Sequence, residues 1–381
     1  MQHKFLTLND ISLTGQRILF REDFNVPLQS GIVQSDLRIR AALPGIQQAL
    51  QANASVMLMS HLGRPEAGVW QEQFSLRPVV KVLEKLLDMP IQFVSDWFSA
   101  NFKQKSKVIL FENVRFLSGE TENDPALAKK MAQLCDIFVM DAFGSAHRAH
   151  ASTMGVVEFA PVAVAGPLLS KEITALDKLM FNPKSPVVAV IGGAKVSTKM
   201  AVLQALTTVA DVLIVGGGMA NTLLASQGYP VGSSLYEPDL IPNALKLMAL
   251  AKHNNCQILL PIDVISDDGK IFDIGPQTIQ LYSAALVNAA TILWNGPMGV
   301  FENPAYANGT TQIAKAIADS TAYSVAGGGD TLAAIDKLCL TEKISYISTG
   351  GGAFLEYIEG QQLPAIQALC DRAGQTKYDL T

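Results

Sequence analysis

At 381 residues the chain is longer than one hydrophobic core usually organises, so two domains are expected. A net charge of −5 on a chain that is 49% hydrophobic excludes a general binder of nucleic acid or of acidic membranes, because such proteins present an overall basic surface. Cys135, Cys256, Cys339 and Cys370 stand far apart and form no C-x-x-C, so neither a disulfide framework nor a zinc site is expected, and reduced thiols of a cytoplasmic protein are the simpler account.

The N-terminal MQHKFLTLND has no signal-peptide core. In the first half, apolar runs end in polar loops: RILF leads to REDFNVP, VMLMS to HLGRP, KVILF to ENVRF, and CDIFVMD to AFGSAHRAH. Between them RIRAALPGIQQALQ, SLRPVVKVLEKLLD and PALAKKMAQL space their apolar residues by three and four, which predicts helices. Alternating strand and helix predicts a parallel sheet covered on both faces, with ligands bound beyond the carboxyl ends of its strands. Those ends carry Arg21, Asp23, Asn25, His61, Arg64, Arg115 and Arg148, and Arg38 opens the first helix. A lone arginine is most often part of a surface ion pair. Several basic groups at equivalent strand ends of an acidic protein point instead to a small bound anion. His147 and His150, three apart, have no third ligand at metal spacing, so packed or hydrogen-bonded histidines are expected there. His61, beside Gly63 and Arg64, is the better donor to an anion.

The most apolar segment, VVEFAPVAVAGPLL, is broken by Glu158, Pro161, Gly166 and Pro167 and is too short to span a bilayer. Residues 166–182 then predict a helix between the domains. Pro167 suits a first turn, Ser170 to Met180 read as helical, and Asn182, Pro183 and Pro186 stop it.

The second half opens with VVAVIGGAKVSTK, a buried-type strand ending in two glycines and continuing into a segment read as a helix, on which Lys195 and Lys199 would share a face. Glycine clusters recur after apolar runs at Gly216 to Gly218, Gly327 to Gly329 and Gly350 to Gly352. One such cluster is an ordinary turn. Repeated at successive strand ends, they suit phosphates held against main-chain N–H groups at helix N-termini. Asp330, with Thr331 beside it, follows one cluster and could hold Mg²⁺, which binds through one or two carboxylates plus phosphate oxygens. Glu302, in the loop WNGPMGVFE, could accept from ribose hydroxyls or simply open a helix. No G-x-x-x-x-G-K-[ST] and no G-x-G-x-x-G/A after a strand is present, against a Walker-type or dinucleotide-binding protein.

Taken together, REDFNVP, SDLRIRAALPGI, SHLGRP, FENVRF, DAFGSAHRAHAST, GGAKVSTK, VGGGMANT, WNGPMGVFE, GGGDT and STGGGAFLE resemble phosphoglycerate kinases, in the compact bacterial form, from about Leu6 to Leu369. The resemblance implies two doubly wound parallel-sheet α/β domains, Rossmann-like, facing across a cleft and joined by the helix at 166–182. It implies an N-terminal phosphoglycerate-binding domain at 1–165, a C-terminal nucleotide-binding domain at 183–362, and a segment 363–381 folding back onto the first. The implied reaction exchanges a phosphoryl group between 1,3-bisphosphoglycerate with MgADP and 3-phosphoglycerate with MgATP in a monomeric enzyme, with no nucleic acid or membrane partner. By motif, Asp23, Phe24, Asn25, Arg38, His61, Leu62, Gly63, Arg64, Arg115 and Arg148 would hold phosphoglycerate. Gly193, Lys195, Lys199, Gly217, Gly218, Asn295, Pro297, Val300, Glu302, Gly328, Gly329, Asp330 and Thr331 would hold the nucleotide, with Asp330 toward Mg²⁺. Arg38, Lys195 and the Gly351–Gly352 helix start would act on the transferring group.

The sequence departs from the family pattern in a shortened segment between Val264 and Gly275, in Ile271 and Phe272 where glycine and leucine are usual, and in Glu22, Gly45 and Ser145. Two competing classes are a kinase of another phosphorylated acid and a catalytically silent protein that kept the fold. The second predicts loss of Arg38, Lys195, Lys199 or Asp330, and all four are present.

Overall fold

The computed structural model describes residues 4–99 and 106–375. The chain divides into two compact units, Met1–Thr174 with Gln362–Thr381, and Ala175–Gln361.

The first unit begins with β1 (Arg17–Arg21), a small hairpin of β2 (Leu28–Gln29) and β3 (Ile32–Val33), α1 (Leu37–Gln51), β4 (Ser55–Met59) and α2 (Arg77–Leu87). It continues through β5 (Ile91–Val94), β6 (Val108–Phe111), α3 (Pro125–Ala132), β7 (Ile137–Met140), α4 (Val156–Phe159) and β8 (Val162–Ala165). Its parallel sheet has the order β5-β6-β4-β1-β7-β8. Strands such as VILF and IFVM are buried at every position, which explains their unbroken apolar runs: helices cover both faces of the sheet. One face packs Ile18, Phe20, Val56, Leu58 and Val139 against Ile39, Ile46, Val79 and Leu83 of α1 and α2. Helix α1 runs through Pro44 and Gly45. A Cβ on Gly45 would come within 3.1 Å of Pro167, 3.2 Å of Phe20 and 3.3 Å of Asp141, so a larger residue there would need these side chains to give by a few tenths of an ångström.

Helix α5 (Pro167–Met180) begins among the first unit's residues and ends among the second's. The second unit contains β9 (Val187–Ile191), α6 (Met200–Leu206), β10 (Val212–Val215), α7 (Gly217–Ser226), α8 (Ile241–His253), β11 (Gln257–Leu259) and an antiparallel hairpin of β12 (Val264–Asp267) and β13 (Lys270–Ile274). After these come α9 (Pro276–Val287), β14 (Thr291–Asn295), α10 (Asn308–Asp319), β15 (Tyr323–Gly327), α11 (Gly329–Lys337), β16 (Tyr346–Ser348) and α12 (Gly352–Ile358). The parallel sheet has the order β11-β10-β9-β14-β15-β16. Helix α13 (Pro364–Gln375) returns to the first unit, where Ala365 N–H donates to Ala146 O at 3.1 Å and Arg372 Nη2 to Ala160 O at 2.6 Å. Residues 376–381 of the segment expected to fold back lie outside the described residues, as do the first three of the N-terminal domain.

In each sheet the chain builds one side first and then returns to the centre to build the other. The reversal falls between β1 and β7 in the first sheet and between β9 and β14 in the second. At such a reversal the connections diverge to opposite faces and leave a crevice beyond the strand carboxyl ends, where ligands bind.

None of the four cysteines is in a disulfide. Among the described residues no helix is long and apolar enough to cross a membrane.

Candidate active site

In the first unit the predicted basic residues gather around His61. Arg21 ends β1 and is 1% exposed; its Nε donates to Ser152 Oγ at 3.0 Å and its Nη2 lies 3.2 Å from His61 Nδ1. Burial, then the positive charges of Arg21, Arg115, Arg148 and Arg38, holds the His61 imidazole well below its ordinary pKa, so the ring is neutral at pH 7. Arg115 is pushed down to about 10 by burial first and then by Arg148 and Arg21, with Arg64 also contributing. Like charges so placed repel, and a polyvalent anion is the species that would relieve them.

Fixed backbone holds this edge in place. Phe24 is fully buried and its N–H donates to Ser60 Oγ at 2.8 Å. Asp23 Oδ2 accepts from Arg38 Nη1 at 2.8 Å, and Asn25 Oδ1 accepts the Gly63 N–H at 2.9 Å. Gly63 takes φ +60°, and a Cβ there would sit 2.3 Å from Phe74. Asn113, fully buried, bonds Leu62 through both its amide groups and accepts the Arg115 N–H at 3.0 Å. Arg115 Nη1 donates to Gly63 O. His147 Nε2 accepts from Arg148 Nε at 3.3 Å, and His150 Nδ1 lies 3.7 Å from Glu120 Oε1. The sequence reading overlooked Asn113, Glu120 and Ser152, since buried polar residues between apolar runs carry no periodic signal.

Glu22, one of the sequence departures, is fully buried at the β1/β7 reversal, with neither carboxyl oxygen hydrogen-bonded. Burial and the neighbouring Asp141 raise its pKa well above the carboxylate range, and Asp141 itself is raised to about 7 by burial. Burial thus favours the protonated form of Glu22, against the opposing charge of Arg21, whose Nη1 donates to the Glu22 carbonyl.

In the second unit a cavity of about 300 Å³ opens at the carboxyl edge of the sheet. Of the residues expected to hold nucleotide, Gly193, Gly217, Gly218, Pro297, Val300, Glu302 and Asp330 line it. Ile271 and Phe272 from the β12–β13 hairpin also line it, together with Leu235, Val264 and Met298, which the sequence reading missed. Phe272 stacks on Tyr306 with ring centroids 4.6 Å apart, giving this wall an aromatic backing.

One sequence expectation needs correction here, and two others gain a packing role beside them. First, Lys195 and Lys199 do not share a helical face: a short 3-10 turn spans Val196–Thr198 and α6 begins only at Met200. Tertiary bonds decide this, since Gly192 N–H donates to Asn295 O at 2.9 Å and Lys199 Nζ to Gly192 O at 2.6 Å, pulling the loop onto β14. Lys195 is exposed, whereas burial lowers the Lys199 pKa to about 8 against the opposing pull of Asp330. Second, Thr331 is fully buried and its hydroxyl oxygen accepts the Gly296 N–H at 2.6 Å, which ties the two loops together. Third, several glycines permit contact between loops before any contact with phosphate. A Cβ on Gly217 would lie 2.6 Å from Gly193 O, and one on Gly218 would lie 2.3 Å from Ala194 O. A Cβ on Gly328 would lie 2.5 Å from the Asn295 amide, which donates to Gly327 O at 2.6 Å. Gly329 and Gly351, at the starts of α11 and α12, have nothing within 4 Å of an added Cβ. Gly352 is the first residue of α12.

A family model described as phosphoglycerate kinase matches residues 8–361. The chain is 52% identical to phosphoglycerate kinase of Legionella pneumophila strain Paris, over 98% of this chain and 99% of that protein. The strain Corby protein matches to the same extent, 52% over 98% and 99%. Among solved structures, phosphoglycerate kinase from Coxiella burnetii superposes with a TM-score of 0.93 at 48% identity, covering 97% of this chain and 100% of that one. The Pyrococcus horikoshii phosphoglycerate kinase superposes with a TM-score of 0.82 at 30% identity, over 97% and 100% of the two chains. With two reversed-winding parallel sheets, each carrying its polar groups at the carboxyl edge, the chain belongs to the phosphoglycerate kinase family.

Proposed function

We propose that this chain catalyses the reversible transfer of a phosphoryl group between 1,3-bisphosphoglycerate and MgADP, giving 3-phosphoglycerate and MgATP, with the acid on the first unit and the nucleotide on the second. The observation that carries the reading is the set of arginines around a neutral His61, an arrangement that asks for an anion of several charges in a chain of net charge −5. Asp23, Asn25, Arg38, His61, Arg64, Arg115 and Arg148 bind the acid, with Phe24, Leu62 and Gly63 forming the backbone beneath it. The glycine-lined cavity takes the nucleotide, its apolar wall at Leu235, Val264, Ile271, Phe272 and Met298 suiting a purine and Glu302 a ribose hydroxyl.

The residues present also fit Mg²⁺. Asp330 is exposed at the first turn of α11 and lines the cavity, and no group of three carboxylate, histidine or cysteine side chains among the described residues could hold a metal alone. Mg²⁺ is bound through one or two carboxylates with phosphate oxygens completing the shell, so Asp330 is the group that would hold it. The ion would neutralise charge on the β- and γ-phosphates.

In the ATP-consuming direction, a carboxylate oxygen of 3-phosphoglycerate attacks the γ-phosphorus, the bond from phosphorus to the bridging β,γ-oxygen breaks, and ADP leaves with that electron pair. The nucleophile is already ionised at neutral pH, so the protein has no proton to remove. What remains is positioning and charge stabilisation. Arg38 and Lys195 supply that charge to the transferring group, and the N–H groups at the Gly351–Gly352 helix start add neutral donors. Lys199 holds nucleotide phosphates. An assay with MgATP and 3-phosphoglycerate, coupled to reduction of the acyl phosphate product, tests the reading. Turnover at least about 10²-fold above that with glycerate or 2-phosphoglycerate is expected, since a site built on paired polar groups rejects ligands that leave them unpaired. Equal turnover of all three acids would refute it.

A further inference from the structure

Glu120 lies outside the residues assigned to substrate, yet it is only 1% exposed. Its Oε1 accepts the Ser152 hydroxyl at 2.6 Å and its Oε2 accepts the Ser152 N–H at 2.9 Å. Ser152 Oγ in turn accepts Nε–H of Arg21 at 3.0 Å, and Arg21 Nη2 reaches His61 Nδ1 at 3.2 Å. All four side chains are at least nine-tenths buried, so solvent cannot substitute for any link.

The two fixed members of this chain dictate its direction. A carboxylate only accepts and a guanidinium only donates. The single hydroxyl proton of Ser152 is therefore committed to Glu120, which leaves the oxygen lone pairs for Arg21. Arg21 has no lone pair to offer, so His61 Nδ1 must accept and the ring proton resides on Nε2. Among the neighbouring carboxylates Glu120 acts most strongly on the buried Arg21, ahead of Asp23. Without it the guanidinium would be the natural place for the chain to break.

We propose that Glu120 is a positioning residue for the acid substrate, acting through Ser152 and Arg21 to lock His61 as the neutral Nε2–H tautomer, so that the ring contributes a hydrogen-bond donor to an anion. The proposal rests on reading the first unit as the acid site. A purely structural role is the competing account, because the Glu120 carboxylate also anchors the turn at Ala151–Gly155 by accepting the Ser152 N–H at 2.9 Å. That role would alter stability and leave the tautomer alone.

The test is ring-nitrogen NMR of the full-length protein labelled with ¹⁵N-histidine, with His61 assigned by its loss in His61→Asn. The expected wild-type spectrum shows a protonated Nε2 and an unprotonated Nδ1. Glu120→Gln and Ser152→Ala should each give a mixture of tautomers and raise KM for 3-phosphoglycerate about 10-fold, the loss of one charge-assisted hydrogen bond, with KM for MgATP unchanged. The double variant should be no worse than the worse single, since both break one chain. Should Glu120→Gln fail to fold, Ser152→Ala and the wild-type spectrum still decide. A wild-type His61 protonated at Nδ1 overturns the relay whatever the turnover. An Nε2–H tautomer retained in both variants assigns Glu120 to structure alone. A wild-type chain with the expected tautomer but no turnover of 3-phosphoglycerate overturns the reading of the site, and with it the substrate role of Glu120, without touching the tautomer.

Discussion

Replacing Asn113 by alanine should loosen the first unit and its anion site together. The Asn113 side chain is fully buried and makes four bonds to main chain: it accepts from Leu62 N at 3.2 Å and Arg115 N at 3.0 Å, and donates to Leu62 O at 2.7 Å and Phe74 O at 2.9 Å. Alanine removes every one and leaves four main-chain groups unpaired, three of them on buried residues and the fourth, Phe74 O, half-buried. At about 1 kcal/mol each, the low end of the cost of an orphaned buried group, the loss is about 4 kcal/mol. Hydrogen exchange read by mass spectrometry suits a chain of two units, because each sheet reports its own opening. Amides of β1, β4 and β6 should exchange about 10³-fold faster, the ratio that corresponds to this energy, while those of β9 and β14 keep their rates. KM for 3-phosphoglycerate should rise with it, since Asn113 sets the Leu62–Gly63 backbone and the Arg115 N–H. Acceleration below about tenfold in the first sheet would mean that the four groups find other partners and that the backbone under His61 does not depend on this residue.

Arg38→Ala should lower turnover by about 10²-fold or more while leaving nucleotide affinity nearly unchanged, as for a lost donor to a transition-state oxyanion; near-normal steady-state kcat would remove Arg38 from that role. Gly218→Ala forces a Cβ to within 2.3 Å of Ala194 O and should weaken both fold and MgATP binding, whereas Gly329→Ala meets nothing within 4 Å and should leave the melting temperature intact while raising KM for MgATP. Calorimetric binding and thermal melts of the two variants separate these outcomes. The Lys199 pKa is lowered from 10.5 to about 8 by burial, so the unfolded chain binds the extra proton between those values and stability from this group is present above pH 10.5 and lost as pH falls through 8. Nucleotide phosphates reverse that preference, and titrations at pH 8.5 in buffers of different ionisation enthalpy should show net proton uptake on MgATP binding; none would place Lys199 away from the phosphates. Glu22 has the opposite sign: its pKa is raised, so its contribution is full below the unfolded carboxylate pKa and is lost as pH rises through the higher folded value. Glu22→Gln should therefore raise the unfolding midpoint at pH 7 and not at pH 4, and an equal gain at both would show that the carboxyl is not held neutral.

The basic cluster of the first unit was legible because its residues sit in short segments after apolar runs, and that pattern survives in a sequence read without coordinates. VILF and IFVM announce strands covered on both faces, and Arg21, His61, Arg115 and Arg148 fall where such strands end. The order of strands, which puts the β1/β7 and β9/β14 reversals beside those loops, depends on pairing between residues far apart in the chain and leaves no local trace.

The second unit marks the boundary more sharply. Sequence alone determined that glycines end its strands, because a residue without a side chain at a strand end is visible in one dimension. It could not decide what each glycine is for. Contacts with Ala194, Asn295 and Gly193 from other loops made Gly218, Gly328 and Gly217 packing residues, and left Gly329 and Gly351 facing open space. The same long-range bonds kept Lys195 and Lys199 off a common helix, since the Lys199 ammonium gains more from the Gly192 carbonyl beside β14 than the loop would gain from an earlier helical start. Local propensity is a weak prior that specific tertiary hydrogen bonds overrule, and in this chain they do so at the loops that surround its cavity.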